Sequence, residues 1–399
     1  MKNQAEKNIN TEKAYGKIDW VLIAIVAILI GYGLLMLYSA SSYNANIEKG
    51  QSYYYVGKQA IFVVIGMIAM VIVTFIPYKI WEKAAIPLFI VSCILVGLVL
   101  TPLGYESHGA RRWLDFGFAT VQPSEILKVA IILVTAALLA KLKTSITDVK
   151  TYFIILGASI IGAALTALIT DDLGTAIIIM AIGLIMIFVI SPNTKYLLLT
   201  ILGIVVLGVG YVLLKSSKMQ RIEAWLHIDK YSDSIGYQIT QGLYAIGSGG
   251  IMGKGLGQGT QKLGFVPESE NDMIFSIICE ELGILGAIVL IALIILLLWR
   301  MKKIFDNTTD KYGRAIIVGV SSHIAIQSFI NLAVVTNLIP NTGVPLPFIS
   351  YGGSAILFLL IEVGLVLSVE RNQLAIKVDE EKRKKYYQQE KVKNPITFL

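Results

Sequence analysis

Residues 173–190 read LGTAIIIMAIGLIMIFVI, with no charged side chain. An α-helix needs roughly 20 such residues to cross the hydrocarbon of a bilayer, and this stretch offers no other way to bury so much apolar surface. Nine more blocks of the same character lie at about 19–40, 59–77, 83–101, 123–141, 152–170, 195–215, 273–299, 312–338 and 353–369. The chain has 399 residues, is 55% hydrophobic and only 15% charged, and its apolar residues come in blocks, not in alternation. These features exclude a large soluble core and predict an all-α polytopic membrane protein of about ten transmembrane helices.

The fourth block is interrupted by Glu125 and Lys128, and the eighth by Glu280 and Glu281. The first follows Lys13, Lys17 and Asp19 and ends in SASS, as a signal peptide does, but it outruns the usual 7–15-residue apolar region and reads as an uncleaved span. Ten spans put both termini on one side. With the N-terminus inside, roughly two thirds of the Lys and Arg fall in inner segments, so both termini are expected in the cytoplasm. The domain plan is then a cytoplasmic tail 1–18, a membrane domain 19–370 and a basic cytoplasmic tail 371–399. The net charge of +7 reflects topology and anionic lipid, not nucleic acid. Cys93 and Cys279 both lie inside predicted spans and suggest neither a disulfide framework nor thiol chemistry.

Three outer segments hold most of the polar residues expected to carry function: 101–122, 216–272 and 339–352. The last, IPNTGVPLPFISYG, is too rich in Pro and Gly for regular helix, and irregular backbone at membrane depth must lie against protein or a water-filled cavity. The long segment contains GLYAIGSGGIMGKGLGQGT, with eight glycines between 242 and 259. A phosphate loop does not fit, since Ser248 stands where glycine is required and Gly255 follows Lys254. Tight turns or close backbone packing in a re-entrant or surface-lying loop fit better.

Within HGARRWLD, Arg111, Arg112 and Trp113 read either as an interfacial belt with snorkelling arginines or as a headgroup and sugar contact. In QPSEILK, Pro123 suits a helix start, and Glu125 and Lys128 share a face and can pair, as a structural ion pair or toward substrate. Asp172 of TDDLGT can cap the next helix or serve a polar ligand. In FVPESENDMIF, residues 265–275, Asp272 can also be an N-cap, but one cap does not need Glu268, Glu270 and Asn271 as well. That surplus suggests a site. His323, Gln327 and Asn331 step by four along one face of the ninth span, where interhelical hydrogen bonds are the preferred account. Glu280, Glu281 and Glu362 must face something polar.

Taken together, GARRWLDFGFATVQPSEILK (109–128), DLGT (172–175), GYQITQGLYAIGSGGIMGKGLG (236–257), PESENDMIFSIICEELG (267–283) and NTGVPLPFISYGGS (341–354) resemble the SEDS family, which comprises FtsW, RodA and SpoVE. Their order covers nearly the whole chain, and the last of them leans toward the FtsW/SpoVE branch. The resemblance implies a fold akin to lipid-dependent C-type glycosyltransferases and the polymerisation of lipid II into peptidoglycan strands, in cell division or spore cortex synthesis. It implies a class B penicillin-binding protein and divisome or sporulation membrane proteins as partners. The family's key acidic residue matches Asp272, its Trp matches Trp113, its helix Glu and Lys match Glu125 and Lys128, and its loop acid matches Asp172. Glu268 and Ser350 fall within matching motifs. Two departures stand out: Glu270-Asn271 replaces the usual His-Thr before the aspartate, and Thr170-Asp171 replaces the Gln-Pro before DLGT.

Under this reading Asp272 is the base, and Arg111, Arg112 and Lys128 offset the charge of a departing pyrophosphate. A divalent cation (Mg or Mn) near Asp172 or Asp272 is the alternative. A lipid II flippase and a scaffold that recruits the transpeptidase are the rival readings, since many helices and charged cavity residues suit transport as well.

Overall fold

The computed structural model describes residues 18–393, apart from 108–109, 118–119, 143–145 and 147; beyond residue 373 only the backbone is described. All but the last residue of the expected tail 1–18, and the end of the C-terminal tail from 394, lie outside the described residues. Twelve α-helices follow in order: α1 (Trp20–Lys49), α2 (Tyr54–Phe75), α3 (Lys79–Leu98), α4 (Pro123–Ala140), α5 (Val149–Leu168), α6 (Leu173–Ile190), α7 (Thr194–Leu214), α8 (Ser216–Leu226), α9 (Tyr237–Gly249), α10 (Ile274–Asn307), α11 (Lys311–Val335) and α12 (Gly353–Lys393). Ten are long and apolar enough to cross a membrane: α1–α7, α10, α11 and the Gly353–Gln373 part of α12. They coincide with the ten blocks of the sequence, though α1 runs on to Lys49 and α12 continues as helix through most of the expected tail.

Polar residues at the span ends set where the helices begin. Asp19, Asp148, Asp172, Asn193 and Asp310 each accept a backbone N–H from the first turn that follows, which satisfies a donor that the helix itself cannot. Pro123 occupies the first turn of α4, where its missing N–H costs nothing.

Burial separates the helices into a centre and a rim. In α4, 83% of the span is buried inside the protein, against 6% in α7, so α4 is an interior pillar and α7 faces lipid. α4 packs against α3, α5, α6 and α11, while α12 lies along α2. Small residues permit the close approaches, as where Gly319 of α11 meets Ile132 of α4 and Met186 of α6.

Two segments read as loops contain regular structure. The 101–122 segment folds into a three-stranded antiparallel sheet, β1 (Gly104–Ser107), β2 (Ala110–Asp115) and β3 (Thr120–Val121), with Tyr105 opposite Trp113 and Leu114 opposite Val121. Its alternation is too short to stand out in a chain dominated by apolar blocks. The 216–272 segment holds α8, a 3₁₀ turn at Ile228–Tyr231 and α9, followed by a glycine-rich stretch of turns. Cys93 and Cys279 are both free.

Candidate active site

The irregular segment 339–352 is the hub around which the polar residues gather. From α11, Asn331 Nδ2 donates to the carbonyls of Val344 and Asp272, both at 2.8 Å, and Gln327 Nε2 donates to the Pro345 carbonyl at 3.0 Å. Ser350 Oγ donates to the Asn271 carbonyl at 2.6 Å and accepts from Leu346 N at 2.8 Å, while Tyr351 N donates to the Glu270 carbonyl at 2.9 Å. Gly174, in the first turn of α6, abuts Thr342 and Val344. A Cβ on Gly343 would lie 4.0 Å from Asp272 Oδ2. One loop thus touches the helix that Asp172 caps, the segment that carries Asp272, and the polar face of α11.

Asp272 is 5% exposed. The expectation that it caps the following helix fails: Met273 holds that position without a capping bond, and Gln238 Nε2 of α9 donates to Asp272 Oδ1 at 3.1 Å instead. Burial pushes its carboxyl up to about 7, and the like charge of Glu268 adds to the rise. Backbone hydrogen bonding, the charge of Arg221 and the Gln238 amide oppose it. A carboxylate poised near neutrality can accept a proton from a hydroxyl and release it again. Beside it opens a cavity of about 130 Å³ lined by Arg221, Trp225, Gln238, Asn337 and Asn341 together with apolar residues of α8, α9 and the connection between them.

The other acids of the PESEND stretch diverge. Glu268 accepts from Asn271 Nδ2 at 3.2 Å and sits in left-handed backbone with φ of 51°, an uncommon conformation for a residue with a Cβ. Glu270 accepts from Asn44 of α1 and from Ser269, each at 3.3 Å, and burial raises its carboxyl. The surplus carboxylates thus serve different partners.

Glu125 and Lys128 pair at 2.9 Å, both almost fully buried. Lys128 Nζ also donates to Gln327 Oε1 at 3.0 Å, which joins the pair to the hub loop through Pro345. Gln327 also bonds His323 at 2.8 Å, and His323 faces Glu362 at 2.8 Å, so the expected face of α11 is shared and makes interhelical bonds. Asp172 caps α6, accepting from Thr175 N at 3.0 Å and Thr175 Oγ1 at 2.9 Å. Arg112 lies 4.0 Å from Asp172 and donates to the carbonyls of Thr170 and Asp171. Arg111 pairs instead with Glu106 across the sheet at 3.2 Å, and Trp113 sits on the same strand, half-buried. The structure therefore brings Arg112 to Asp172 and Glu125 to Lys128, but it brings no basic residue of the 109–128 motif into contact with Asp272. Gln238, which bonds Asp272, and Asn341 and Arg221, which connect to it through Gln238, were not singled out in the sequence; Gln238 and Asn341 lie inside quoted motifs, whereas Arg221 gives no signal in sequence beyond being a lone Arg in a long segment.

The glycine run is accounted for by α10. Gly283 breaks this helix with φ of 64°. The exposed backbone is then paired by the run: Lys254 N and Gly255 N donate to the Glu280 and Glu281 carbonyls at 2.9 Å, and Ile284 N donates to the Gly250 carbonyl at 3.0 Å. A Cβ on Gly253 or Gly283 would collide with that opposing backbone, so close packing is the reason for these two glycines. The carboxylates of α10 complete the clamp. Glu280 holds Lys254 at 2.6 Å and Thr260 N at 2.9 Å; Glu281 holds Lys262 at 2.6 Å, Ser39 of α1, and Gly257 N at 3.0 Å.

A divalent cation near Asp172, the alternative to the basic residues, is not matched by the donors present. Both Asp172 oxygens are committed to Thr175, and among the described residues no three acids, histidines or cysteines gather into a metal-binding group.

Comparison with known proteins agrees with this architecture. The profile of the FtsW/RodA/SpoVE cell cycle protein family matches residues 19–374. Stage V sporulation protein E of Bacillus subtilis is 37% identical over 88% of this chain and 97% of its own. A probable peptidoglycan glycosyltransferase FtsW of Geobacter sp. is 36% identical over 88% and 96%. Among solved structures, a chain of a peptidoglycan synthase complex, described as coordinating polymerization and crosslinking, superposes with a TM-score of 0.76 at 27% identity over 89% of this chain and 98% of that one. The rod shape determining protein RodA of Thermus thermophilus gives 0.66 at 25% over 89% and 97%. The chain is a multi-pass membrane protein and belongs to the FtsW/RodA/SpoVE family.

Proposed function

We propose that this protein is a peptidoglycan glycosyltransferase that polymerises lipid II, the undecaprenyl-pyrophosphate-linked disaccharide-pentapeptide, in cell division or spore cortex synthesis. The observation that carries the reading is a buried carboxylate, Asp272, with its proton affinity raised to about 7, bonded to Gln238 in the wall of a cavity of mixed polar and apolar lining, in a chain whose relatives include proteins named for this activity.

In the proposed step the 4-hydroxyl oxygen of the acceptor sugar attacks the anomeric carbon of the donor. The bond from that carbon to the pyrophosphate breaks, its electron pair leaves on the phosphate oxygen, and the hydroxyl proton passes to the Asp272 carboxylate. Direct attack on an α-linked donor inverts the centre to a β linkage with no covalent enzyme intermediate. Arg111, Arg112 and Trp113, on the outer sheet, meet the sugar and peptide parts of the lipid headgroups, and Asp172 acts from behind them by holding Arg112. Glu125, Lys128 and Ser350 act through the hub loop they hold, and Glu268 tunes Asp272. A class B penicillin-binding protein supplies the transpeptidase, with divisome or sporulation membrane proteins around it. The bias of basic residues supports tails 1–18 and 371–399 in the cytoplasm, which sets the Asp272 cavity on the outer face.

Reconstitution tests this reading. The purified protein and its transpeptidase partner, in liposomes given lipid II from outside, are expected to yield glycan polymer. Headgroup translocation without polymer would replace the enzyme with a transporter, and an intact complex that does neither would leave a scaffold.

A further inference from the structure

A departing pyrophosphate needs a cation close to the reacting centre, because charge grows on it in the transition state. The three cations of the 109–128 motif are committed elsewhere. Arg111 is paired with Glu106, Arg112 is spent on two carbonyls and Asp172, and Lys128 is sealed in the interior with Glu125 and Gln327.

Arg221 differs from all of them. It projects from α8 into the cavity beside Asp272 and is exposed. Its one hydrogen bond among the described residues runs from Nη1 to the Asn341 carbonyl at 3.3 Å, which leaves four of the five guanidinium N–H donors unspent. That bond ties it to the same Asn341 whose Nδ2 donates to Gln238 Oε1 at 2.8 Å, and Gln238 in turn donates to Asp272. Arg221, Asn341 and Gln238 therefore form one connected rim, and Gln238 ties that rim to Asp272 behind it. Trp225, one turn further along α8, is pinned by its indole N–H on the Asn337 carbonyl at 3.0 Å and gives the cavity a flat aromatic wall suited to a sugar ring.

We propose that the cavity between α8, α9 and segment 337–341 is a pyrophosphate subsite in which Arg221 grips the departing phosphates of the donor while Asp272 takes the acceptor proton. The inference rests on the glycosyltransferase reading and assigns the leaving-group cation that the reading requires. A planar guanidinium suits the task because it can present two parallel N–H bonds to phosphate oxygens, which an ammonium cannot. Its separation from the base by Gln238 and Asn341 lets one end of the rim receive a proton while the other receives negative charge.

The test measures binding of undecaprenyl pyrophosphate and of undecaprenyl phosphate to the full chain in nanodiscs, for wild type, Arg221→Gln, Arg221→Lys and Asp272→Asn. Arg221→Gln is expected to weaken the pyrophosphate lipid about 10- to 100-fold, the loss of one charged hydrogen-bonding group, with a smaller effect on the monophosphate. Arg221→Lys should retain part of the affinity that Arg221→Gln loses, and Asp272→Asn, which keeps Arg221 and removes a negative charge, should not weaken binding. Inorganic pyrophosphate as competitor reports whether the subsite accepts the free group or only the lipid-linked one. Unchanged pyrophosphate-lipid affinity in a folded Arg221→Gln protein would overturn the proposal. Because this is a binding measurement, it decides the subsite even if wild type makes no polymer, whereas absence of polymer counts against the glycosyltransferase reading alone.

Discussion

If Asp272 is the base, the rate of polymerisation should follow its ionisation. With the carboxyl raised to about 7, about half the molecules carry the active carboxylate at pH 7, about a tenth at pH 6 and about nine tenths at pH 8. Lowering the pH from 8 to 6 should therefore cost nearly tenfold in rate. The causes of the shift give it a signature. Glu268→Gln removes a like charge and should move the acid limb to lower pH, and Gln238→Leu removes a donor to the carboxylate and should move it higher. The same shift predicts stability with the opposite sense to function. Between the ordinary value of 3.8 and about 7 the folded protein holds a proton that the unfolded chain has released, so stability declines as pH rises through that window. Asp272→Asn removes the decline and should stabilise the protein above pH 7 by up to about 4 kcal/mol, with no gain below pH 4. Initial rates and thermal unfolding in nanodiscs across pH 4 to 9 measure both. An acid limb near 4, or one that neither variant moves, would refute the assignment of the limb to Asp272.

Two further predictions concern the clamp between the glycine-rich run and α10. Lys262→Met strands the buried Glu281 carboxylate and should cost about 3–5 kcal/mol in unfolding, while Lys262→Met/Glu281→Leu should recover part of it, the remainder being the bonds from Ser39 and Gly257 N that leave with Glu281; strictly additive losses would mean that the pair is not coupled. Gly283→Ala forces a side chain into left-handed backbone against the Ile251 carbonyl. It should lower the melting temperature and open the run to proteolysis, and an unchanged protease pattern would show that the loop does not depend on the helix break.

Much of this architecture is legible in the sequence because the bilayer leaves few choices. A block such as 173–190 has one way to satisfy its backbone in hydrocarbon, so the ten spans stand out, and Asp172 reads as a cap because its helix begins at the next residue. The Glu125–Lys128 pair follows from helical spacing alone. Contacts between distant segments are a different matter. That Glu280 meets Lys254, that Glu281 meets Lys262 and Ser39, and that His323 meets Glu362 depend on how helices and loops distant in sequence come together. The capping reading of Asp272 fails for the same reason. Its local sequence is that of a helix start, but Gln238, 34 positions earlier, supplies the donor. Arg221 carries no local pattern at all, and only the cavity gives it meaning.

Polymerisation in this mechanism depends on one carboxylate, Asp272, accepting the acceptor's proton. The most direct test of that dependence is the initial rate of lipid II polymerisation by Asp272→Asn beside wild type, each in complex with its transpeptidase partner. The substitution keeps size and hydrogen-bonding capacity and removes the base, so polymer should fall at least 100-fold while the complex stays intact and the protein melts no earlier than wild type. Turnover at the wild-type rate by a folded, partner-bound Asp272→Asn protein would show that Asp272 is not the base.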